Sequence, residues 1–400
     1  MKRRTVLFLL IAAMCVGSVA CASAKDPQLQ SPDSTQPDTE SPTTEKPTEP
    51  SASTDPTPAV TPQTTYRINS NTNGVRILGV RNVPSEQWVT CDWTCSGFEL
   101  NVDCTVDGDI TFGASSSAYC YFRAYVDGNA WGGANPYYTV GLGRDQIVLK
   151  NVPAGRHTVR LIKVTGHTLA TAQVYNVALC GEITEPAPAE KELYIEFAGD
   201  SICCGWGLIG AKDGTYKAQD GSLAYPYLVA EAMNADYSIT ALSGQGLLMG
   251  NPGMTNGYLL ISPKRNEKND YLFSRAADVV VINIGTNDYN YRNQYNFTAE
   301  QFEEAYLQFL QTVKKKNPNC KIVCIYNTMC DTFQESIKSA VETVGGEKVG
   351  VFLLKFDRTT NTESAGHPSI AENAAYAAVL KSVIETVLTT TENSTGGETT

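Results

Sequence analysis

The sequence predicts an α/β domain with a parallel sheet, preceded by an all-β sandwich. Short alternating apolar runs separated by turn residues fill positions 66–182, whereas strand-like runs alternate with helical stretches over positions 192–388. A short segment with two prolines, 183–191, lies between them. Many short strands with turns between them are typical of a sandwich, and strands that alternate with helices favour a parallel sheet covered on both faces.

The first 24 residues have the pattern of a secretory signal. Basic residues at positions 2–4 precede an apolar run from Val6 to about Val16, which is too short for a membrane span. Ala22-Ser23-Ala24 fits a cleavage site, and Ser18-Val19-Ala20-Cys21 resembles a bacterial lipobox. We favour lipidation at Cys21 because a polar segment follows it. The sequence therefore predicts an extracellular protein, tethered to the bacterial surface as a lipoprotein, whose only membrane contact is that anchor.

Two segments are too polar to fold. Residues 25–65 are rich in Pro, Ser, Thr, Asp and Glu, and residues 389–400 have a similar composition. Such segments cannot bury enough apolar surface to offset the entropy of the chain. We expect a disordered tether and a disordered tail.

Charge and cysteine spacing limit the partners. The net charge is −11 and no basic stripe is present, which argues against nucleic acid. The twelve cysteines allow too many pairings to choose among. Zinc is an alternative for Cys91 and Cys95, but no histidine or second cysteine pair accompanies them. We expect these cysteines to be buried or disulfide-bonded and the protein to contain no metal.

Residues suited to acyl transfer follow the strands of the α/β region. Ser201 comes directly after the apolar run 193–198, and Asn287 follows the run 279–284. The carboxyl ends of parallel strands form one edge of a sheet, so both residues should lie there. His367 is the only histidine of this region and precedes a helix that Ser369 and Glu372 could cap. The other two histidines, His157 and His167, are expected to be structural.

These residues supply the parts of an esterase site. A serine hydroxyl needs a base to become a nucleophile, which His367 can provide for Ser201. The backbone N–H groups of Ser201 and Gly244 and the side-chain amide of Asn287 can stabilise an oxyanion. This chemistry needs no cofactor. Asp200 and Asp288 are expected to hold loop backbones by hydrogen bonds.

The four blocks around Ser201, Gly244, Asn287 and His367 resemble those of the SGNH (GDSL) hydrolase superfamily, in the same order. The resemblance covers about residues 192–388 and implies a three-layer, flavodoxin-like fold. The β region ahead of it and the segment Gly199–Gly207 look like carbohydrate esterase family 2. That family joins a jelly-roll module to an SGNH domain and removes acetyl groups from plant cell-wall polysaccharides.

The resemblance has one departure. SGNH enzymes usually carry an aspartate two or three residues before the histidine, where this chain has Ala365 and Ser364. Glu363 is the only nearby carboxylate, and some family 2 esterases use a Ser–His dyad oriented by a backbone carbonyl. We expect a dyad, with Glu363 as the alternative third member.

The site residues thus predict a secreted serine esterase, and the resemblance implies that it removes O-acetyl groups from xylan, glucomannan or a related polysaccharide. Trp206 and Tyr289 adjoin the site blocks and are favoured for stacking against sugar rings. One alternative is an SGNH lipase or thioesterase, which a long apolar groove beside Ser201 would favour. Another is a non-catalytic carbohydrate-binding surface protein, which the missing aspartate would favour.

Overall fold

The structure is a computed structural model that describes residues 62–210, 215–250, 253–262, 270–331, 333–362 and 366–389. The predictions for the signal segment, Cys21, the tether up to residue 61, the tail beyond residue 389 and Glu363 lie outside these residues. Within the described ranges, no helix is both long enough and apolar enough to span a bilayer.

Residues 64–184 form two antiparallel sheets, as the alternating runs predict. One sheet has the order β1-β11-β5-β9, with β3 also on β11. The other has the order β12-β4-β10-β6-β7, with β2 on β4 and β8 on β6. The strands are β1 (Thr64–Arg67), β2 (Val75–Leu78), β3 (Val89–Cys91), β4 (Ser96–Cys104), β5 (Gly108–Ser116), β6 (Cys120–Val126), β7 (Asn129–Trp131), β8 (Tyr138–Val140), β9 (Gly143–Val152), β10 (Gly155–Lys163), β11 (Ala172–Leu179) and β12 (Gly181–Thr184).

The two sheets face each other across an apolar core. Phe98 of β4 and Phe112 of β5 are fully buried there, and their ring centroids lie 5.7 Å apart. The side chains that alternate with these point outward and are more polar, as expected for sheets with one buried face. Strand β1 starts at Thr64 and strand β12 ends at Thr184, so the strands extend slightly past both ends of the predicted β region.

The α/β part contains a five-stranded parallel sheet with the order β14-β13-β15-β16-β17. Its elements are β13 (Tyr194–Gly199), α1 (Tyr225–Ala232), β14 (Asp236–Ala241), α2 (Met254–Gly257), β15 (Val279–Asn283), α3 (Thr286–Tyr295), α4 (Ala299–Lys316), β16 (Lys321–Tyr326), α5 (Gln334–Val344), β17 (Val351–Lys355) and α6 (Ile370–Thr389). Short 3₁₀ turns lie at Tyr216–Ala218, Gly221–Leu223 and Gly346–Val349.

Helices cover both faces of this sheet. Helices α1 and α6 pack on the face to which Ile195 and Phe197 point, and α4 and α5 pack on the face of Tyr194 and Ala198. The central strands are therefore buried on both sides, which explains their continuous apolar runs. The predicted three-layer α/β fold behind a β-sandwich is confirmed.

Helix α4 shows how local sequence fixes an element. The Thr298 side chain accepts the N–H of Gln301, and the Gln301 side chain accepts the N–H of Thr298, which is the predicted capping box. The helix ends at Lys316, two residues before Pro318. Its apolar side, which includes Phe302 and Phe309, is fully buried against the sheet.

Candidate active site

Ser201 lies in the turn that follows strand β13. Asp200 fixes this turn, because its carboxylate accepts the N–H of Ile202 at 3.0 Å and its carbonyl accepts the N–H of Cys204 at 3.2 Å. The strand ends at Gly199, where a Cβ atom would overlap the Cys203 sulfur. The serine side chain is consequently held at the carboxyl edge of the sheet, where the sequence predicts it.

His367 lies against Ser201. The Nε2 atom of His367 is 2.7 Å from the Oγ atom of Ser201, a hydrogen-bond distance. The backbone carbonyl of His367 accepts the side-chain amide of Asn361 at 2.9 Å. The following helix, α6, is capped by Ser369 and Glu372, as predicted: each accepts the other's backbone N–H. The chain thus brings together the predicted nucleophile and base, 166 residues apart.

Asn287 lies in the first turn of α3, directly after strand β15. Its Nδ2 atom donates to the carbonyl of Gln245 at 2.8 Å and lies 3.3 Å from the carboxylate of Asp200. Asn287 therefore connects the serine turn with the segment that contains Gly244. Gly285 precedes helix α3 and has a φ of +117°. A Cβ atom at this position would lie 2.7 Å from the Phe302 ring.

Gly244 lies beside the carbonyl that receives Asn287. It is exposed and has a φ of +80°, and a Cβ atom built on it would meet nothing within 4 Å. The positive φ favours glycine here. The oxyanion roles of the N–H groups of Gly244 and Ser201 stay predictions.

Asp288 anchors the glycine segment to α3. Its carboxylate accepts three backbone N–H groups, those of Leu247 at 3.0 Å, Leu248 at 2.8 Å and Met249 at 3.1 Å. The prediction that Asp200 and Asp288 hold loop backbones is confirmed. Burial raises the pKa of Asp288, and burial together with the charge of Asp288 raises the pKa of Asp200 to about 7.

The two predicted sugar-stacking residues differ in position. The ring centroid of Trp206 lies 6.5 Å from that of His367, so this indole belongs to the site. Tyr289 packs edge-on against Phe333 at 5.4 Å and beneath the guanidinium of Arg292 at 3.7 Å. A binding role for Tyr289 stays a prediction.

Histidines in the β region are placed differently. His157 contacts the carboxylate of Asp127 at 2.8 Å and the carbonyl of Pro153 at 3.0 Å, which confirms a structural role. His167 lies in the loop between β10 and β11.

Asp220 is a residue near the site that the sequence reasoning missed. It is buried, its backbone N–H donates to Gly205 at 3.2 Å, and its carboxylate accepts the Tyr137 hydroxyl at 2.8 Å. The guanidinium of Arg123 lies 3.5 Å from the same carboxylate. Asp220 thus links the sandwich to the segment that carries Trp206. No local pattern reveals this, because the partners lie far apart in the chain.

Metal ligation and disulfides have no support in the described parts of the chain. Those residues contain no group of three or more His, Cys, Asp or Glu side chains suited to a metal ion. Eight of the ten described cysteines are free thiols, and two of these, Cys91 and Cys95, are fully buried. Burial raises the pKa of the Cys91 thiol to about 12.

The sequence profile of the GDSL-like Lipase/Acylhydrolase family matches residues 197–387, which include Ser201, Gly244, Asn287 and His367. Residues 197–387 are a GDSL-type hydrolase domain. The likeness to known proteins extends beyond these residues into the sandwich. A family two carbohydrate esterase from Clostridium thermocellum, solved in complex with cellohexaose, superposes with a TM-score of 0.70 at 26% identity. The match covers 79% of this chain and 99% of that one.

Two curated proteins are similar to this chain over most of its length. The cellulase/esterase CelE of Acetivibrio thermocellus is 28% identical over 320 residues, which are 74% of this chain and 38% of CelE. This chain therefore spans less than half the length of CelE. An acetylxylan esterase / glucomannan deacetylase of Cellvibrio japonicus is 29% identical over 283 residues, which are 65% of this chain and 76% of that protein.

Proposed function

We propose that the chain is a secreted serine esterase that removes O-acetyl groups from plant cell-wall polysaccharides. The observation that carries this proposal is the 2.7 Å contact between Ser201 Oγ and His367 Nε2, at the sheet edge where Asn287 also lies. A nucleophile within hydrogen-bond reach of a base is the arrangement that acyl transfer requires.

The reaction begins with proton transfer. His367 takes the hydroxyl proton of Ser201 as Oγ bonds to the acetyl carbonyl carbon, and negative charge develops on the carbonyl oxygen. The N–H groups of Ser201, Gly244 and Asn287 stabilise this oxyanion, and one such donor typically contributes about 3–4 kcal/mol. His367 then protonates the sugar oxygen as its bond to the acetyl carbon breaks. Water, deprotonated by His367, attacks the acetyl carbon of the acetyl-serine. The bond from that carbon to Ser201 Oγ then breaks, His367 returns the proton to Oγ, and acetate leaves.

The Asn287 amide is suited to its role because it carries two N–H groups. The 2.8 Å bond to the Gln245 carbonyl fixes the side chain. The other N–H donates to the Asp200 carboxylate at 3.3 Å, the longer of the two bonds, and exchanges this partner for the oxyanion during the reaction. We assign this second N–H to the oxyanion. The buried carboxyl of Asp200 thereby positions a donor rather than transferring a proton to substrate.

The substrate class is inferred from relatives and from Trp206. One relative is named an acetylxylan esterase and glucomannan deacetylase, and the aligned esterase structure is a complex with cellohexaose. Trp206, beside His367, offers a ring face on which a sugar can stack. Secretion and lipidation at Cys21 rest on the N-terminal sequence alone.

The proposal is tested by measuring acetate release from acetylated xylan, acetylated glucomannan and a chromogenic acetate side by side. Ser201→Ala and His367→Ala should each lower kcat by more than about 10³-fold, since nucleophile and base act as a unit. Ser339→Ala, a change of the same size on helix α5, serves as the matched control.

Near-wild-type turnover by a folded Ser201→Ala protein would remove this mechanism. Wild-type protein that binds the polysaccharides but releases no acetate would identify a non-catalytic binding protein. Faster hydrolysis of long-chain than of acetyl esters would favour a lipase or thioesterase instead.

A further inference from the structure

The sandwich carries a cleft whose lining residues all lie between positions 65 and 176. It has a volume of about 790 Å³ and lies on the outer face of the sheet β1-β11-β5-β9. We call it the outer cleft, and its lining includes Arg67, Trp88, Ser115, Arg144, Gln173 and Tyr175. The other sheet of the sandwich turns its outer face to the hydrolase domain, where Arg160 of β10 donates to Tyr227 of α1. The outer cleft is therefore on the opposite side of the sandwich.

Strand register places these side chains in rows. Gln173 of β11 pairs with Ser115 of β5, and Ser115 pairs with Arg144 of β9. Arg67 of β1 pairs with Asn176 of β11. The strands that carry Arg67 and Arg144 are three strand spacings apart, or roughly 14 Å. The two guanidinium groups thus flank a floor of amide and hydroxyl groups.

An aromatic ring lies on that floor because a glycine makes room for it. Tyr175 occupies the bulge of strand β11, between Val174 and Asn176. A Cβ atom added to Gly113 on the neighbouring strand would lie 2.6 Å from a ring carbon of Tyr175. Trp88, the residue before strand β3, is a second partly exposed aromatic ring in the lining.

Charge distinguishes this cleft from the rest of the surface. The chain has a net charge of −11, and most described arginines pair with carboxylates, as Arg160 does with Glu99 at 2.6 Å. Arg67 and Arg144 are both exposed, and among the residues that the structure describes neither guanidinium has an ion pair or a hydrogen bond. Two unpaired guanidinium groups in one cleft of an acidic protein are complementary to an anionic ligand.

We propose that the outer cleft binds an oligosaccharide segment whose sugars carry carboxylates, that is, uronic acid residues. The rings of Tyr175 and Trp88 present apolar faces to sugar C–H groups. Each arginine offers a fork of N–H donors that matches a carboxylate. The side chains of Gln173 and Ser115 can bond sugar hydroxyls. A neutral glucan would leave both guanidinium groups unpaired, and nucleic acid would meet an acidic protein.

The experiment uses the full chain carrying Ser201→Ala, so that binding is separated from turnover. Titration calorimetry compares the tetramer of galacturonic acid with cellotetraose, a neutral tetramer. The acidic tetramer should bind, and more weakly as salt concentration rises. Arg67→Gln with Arg144→Gln should weaken binding by about 10-fold or more, because charge-assisted bonds are lost. Tyr175→Ala should weaken it, whereas Tyr175→Phe, which keeps the ring, should not.

The matched control is Arg156→Gln with Lys381→Gln, which removes the same charge from β10 and from helix α6. This control should bind the acidic tetramer like the parent. In a Ser201 background, all these variants should release acetate from a chromogenic ester at the wild-type rate, which verifies their fold.

Three results would overturn the proposal: no binding of the acidic tetramer, equal binding of the neutral tetramer, or equal weakening by the control. Because binding is read in a protein without its nucleophile, a failed esterase assignment leaves this measurement intact, and the reverse also holds.

Discussion

At the scale of single residues, the site depends on carboxylates that accept hydrogen bonds from the protein's own backbone and amide groups. Asp200 accepts the N–H of Ile202 in the serine turn and the Asn287 amide at 3.3 Å, so it connects the proposed nucleophile to a proposed oxyanion donor. The residue is fully buried. Desolvation disfavours its charged form, and the nearby charge of Asp288 adds to the effect. The Asp200 carboxyl, next to Ser201, is therefore only partly ionised near pH 7.

We expect Asp200 to make the folded protein less stable as pH rises. Its pKa is about 7 in the folded state, against an ordinary value of 3.8, so the folded state holds its proton more tightly than the unfolded chain. The stabilisation that this tightly held proton provides is complete below about pH 4 and is lost as pH approaches 7. Asn at this position cannot titrate. The difference in Tm between wild type and Asp200→Asn should therefore shift against the wild type from pH 4 to 7, as calorimetry would show.

Asp107→Asn, an exposed change of the same kind, is the control and is measured over the same pH range. A Tm difference for Asp200→Asn that does not change with pH would show that the pKa of Asp200 is not raised in the folded protein.

Glu363 offers a second test at the residue scale. Glu363 lies four residues before His367, one further than the usual aspartate, and the small residues at positions 365 and 366 favour orientation of the imidazole by a backbone carbonyl. We expect Glu363→Gln to change kcat little. Replacing a triad aspartate lowers kcat by about 10⁴-fold in the chymotrypsin-type case. A loss of kcat of that size, with Tm unchanged, would make Glu363 the third member of a triad.

At the scale of elements, the site is assembled from strand ends and helix starts. The Gly244 segment, which follows strand β14, is held by Asp288 in the first turn of α3. Gly246 lies so close to that carboxylate that a Cβ atom would overlap it. The position of one proposed oxyanion donor is thus set by helix α3, which follows a different strand, β15.

We expect Asp288→Asn to disturb this element. An amide nitrogen cannot accept a hydrogen bond, so at least one buried N–H among residues 247–249 loses its partner, at a cost of about 1–3 kcal/mol. The glycine segment should loosen, and kcat should fall by about 10-fold or more while KM changes less. Kinetics measures the change in kcat and KM, and denaturant unfolding measures the change in stability.

Asp103→Asn, at a half-exposed position of β4, is the control. If Asp288→Asn has as small an effect as Asp103→Asn, the proposed role of Asp288 is removed.

The sequence predicts an element well where a local pattern of residues, or a cap within the element, determines its structure. Strand β15 is a continuous apolar run because both its faces are buried, and helix α4 carries its own cap. Strands β5 and β11 are less distinct, since β5 contains few large apolar residues and the bulge at Tyr175 interrupts the alternation of β11. Ser115, Gln173 and Tyr175 of these strands line the outer cleft. The bulge that makes β11 hard to predict therefore also places the Tyr175 ring in the cleft.

At the scale of the whole molecule, the sandwich and the hydrolase domain share buried charges. Arg81, which follows strand β2, is fully buried among residues of the hydrolase domain. It pairs with Glu196 of β13 at 3.1 Å and donates to the carbonyls of Tyr258 and Leu260. The partners lie 115 and more residues away along the chain, so no local pattern could predict them. The two parts also contribute to one apolar cluster, through Leu78 and Ile195 among others.

We therefore expect the sandwich and the hydrolase domain to unfold in one transition, and Arg81→Met to destabilise both. Removing one partner of a buried ion pair typically costs about 3–5 kcal/mol, because the remaining charge is left unpaired. Glu196 would keep its bonds to the Tyr194 and Tyr258 hydroxyls but lose its counter-charge. Adding Glu196→Gln should recover part of the loss, since an amide needs no counter-charge.

Guanidinium denaturation, followed by tryptophan fluorescence and circular dichroism, measures the free energy of unfolding of each variant. Arg156→Met, which removes an exposed arginine paired with Asp103, should cost less than about 1 kcal/mol. Two separate wild-type transitions, with Arg81→Met affecting only one of them, would show that the shared charges do not couple the two parts.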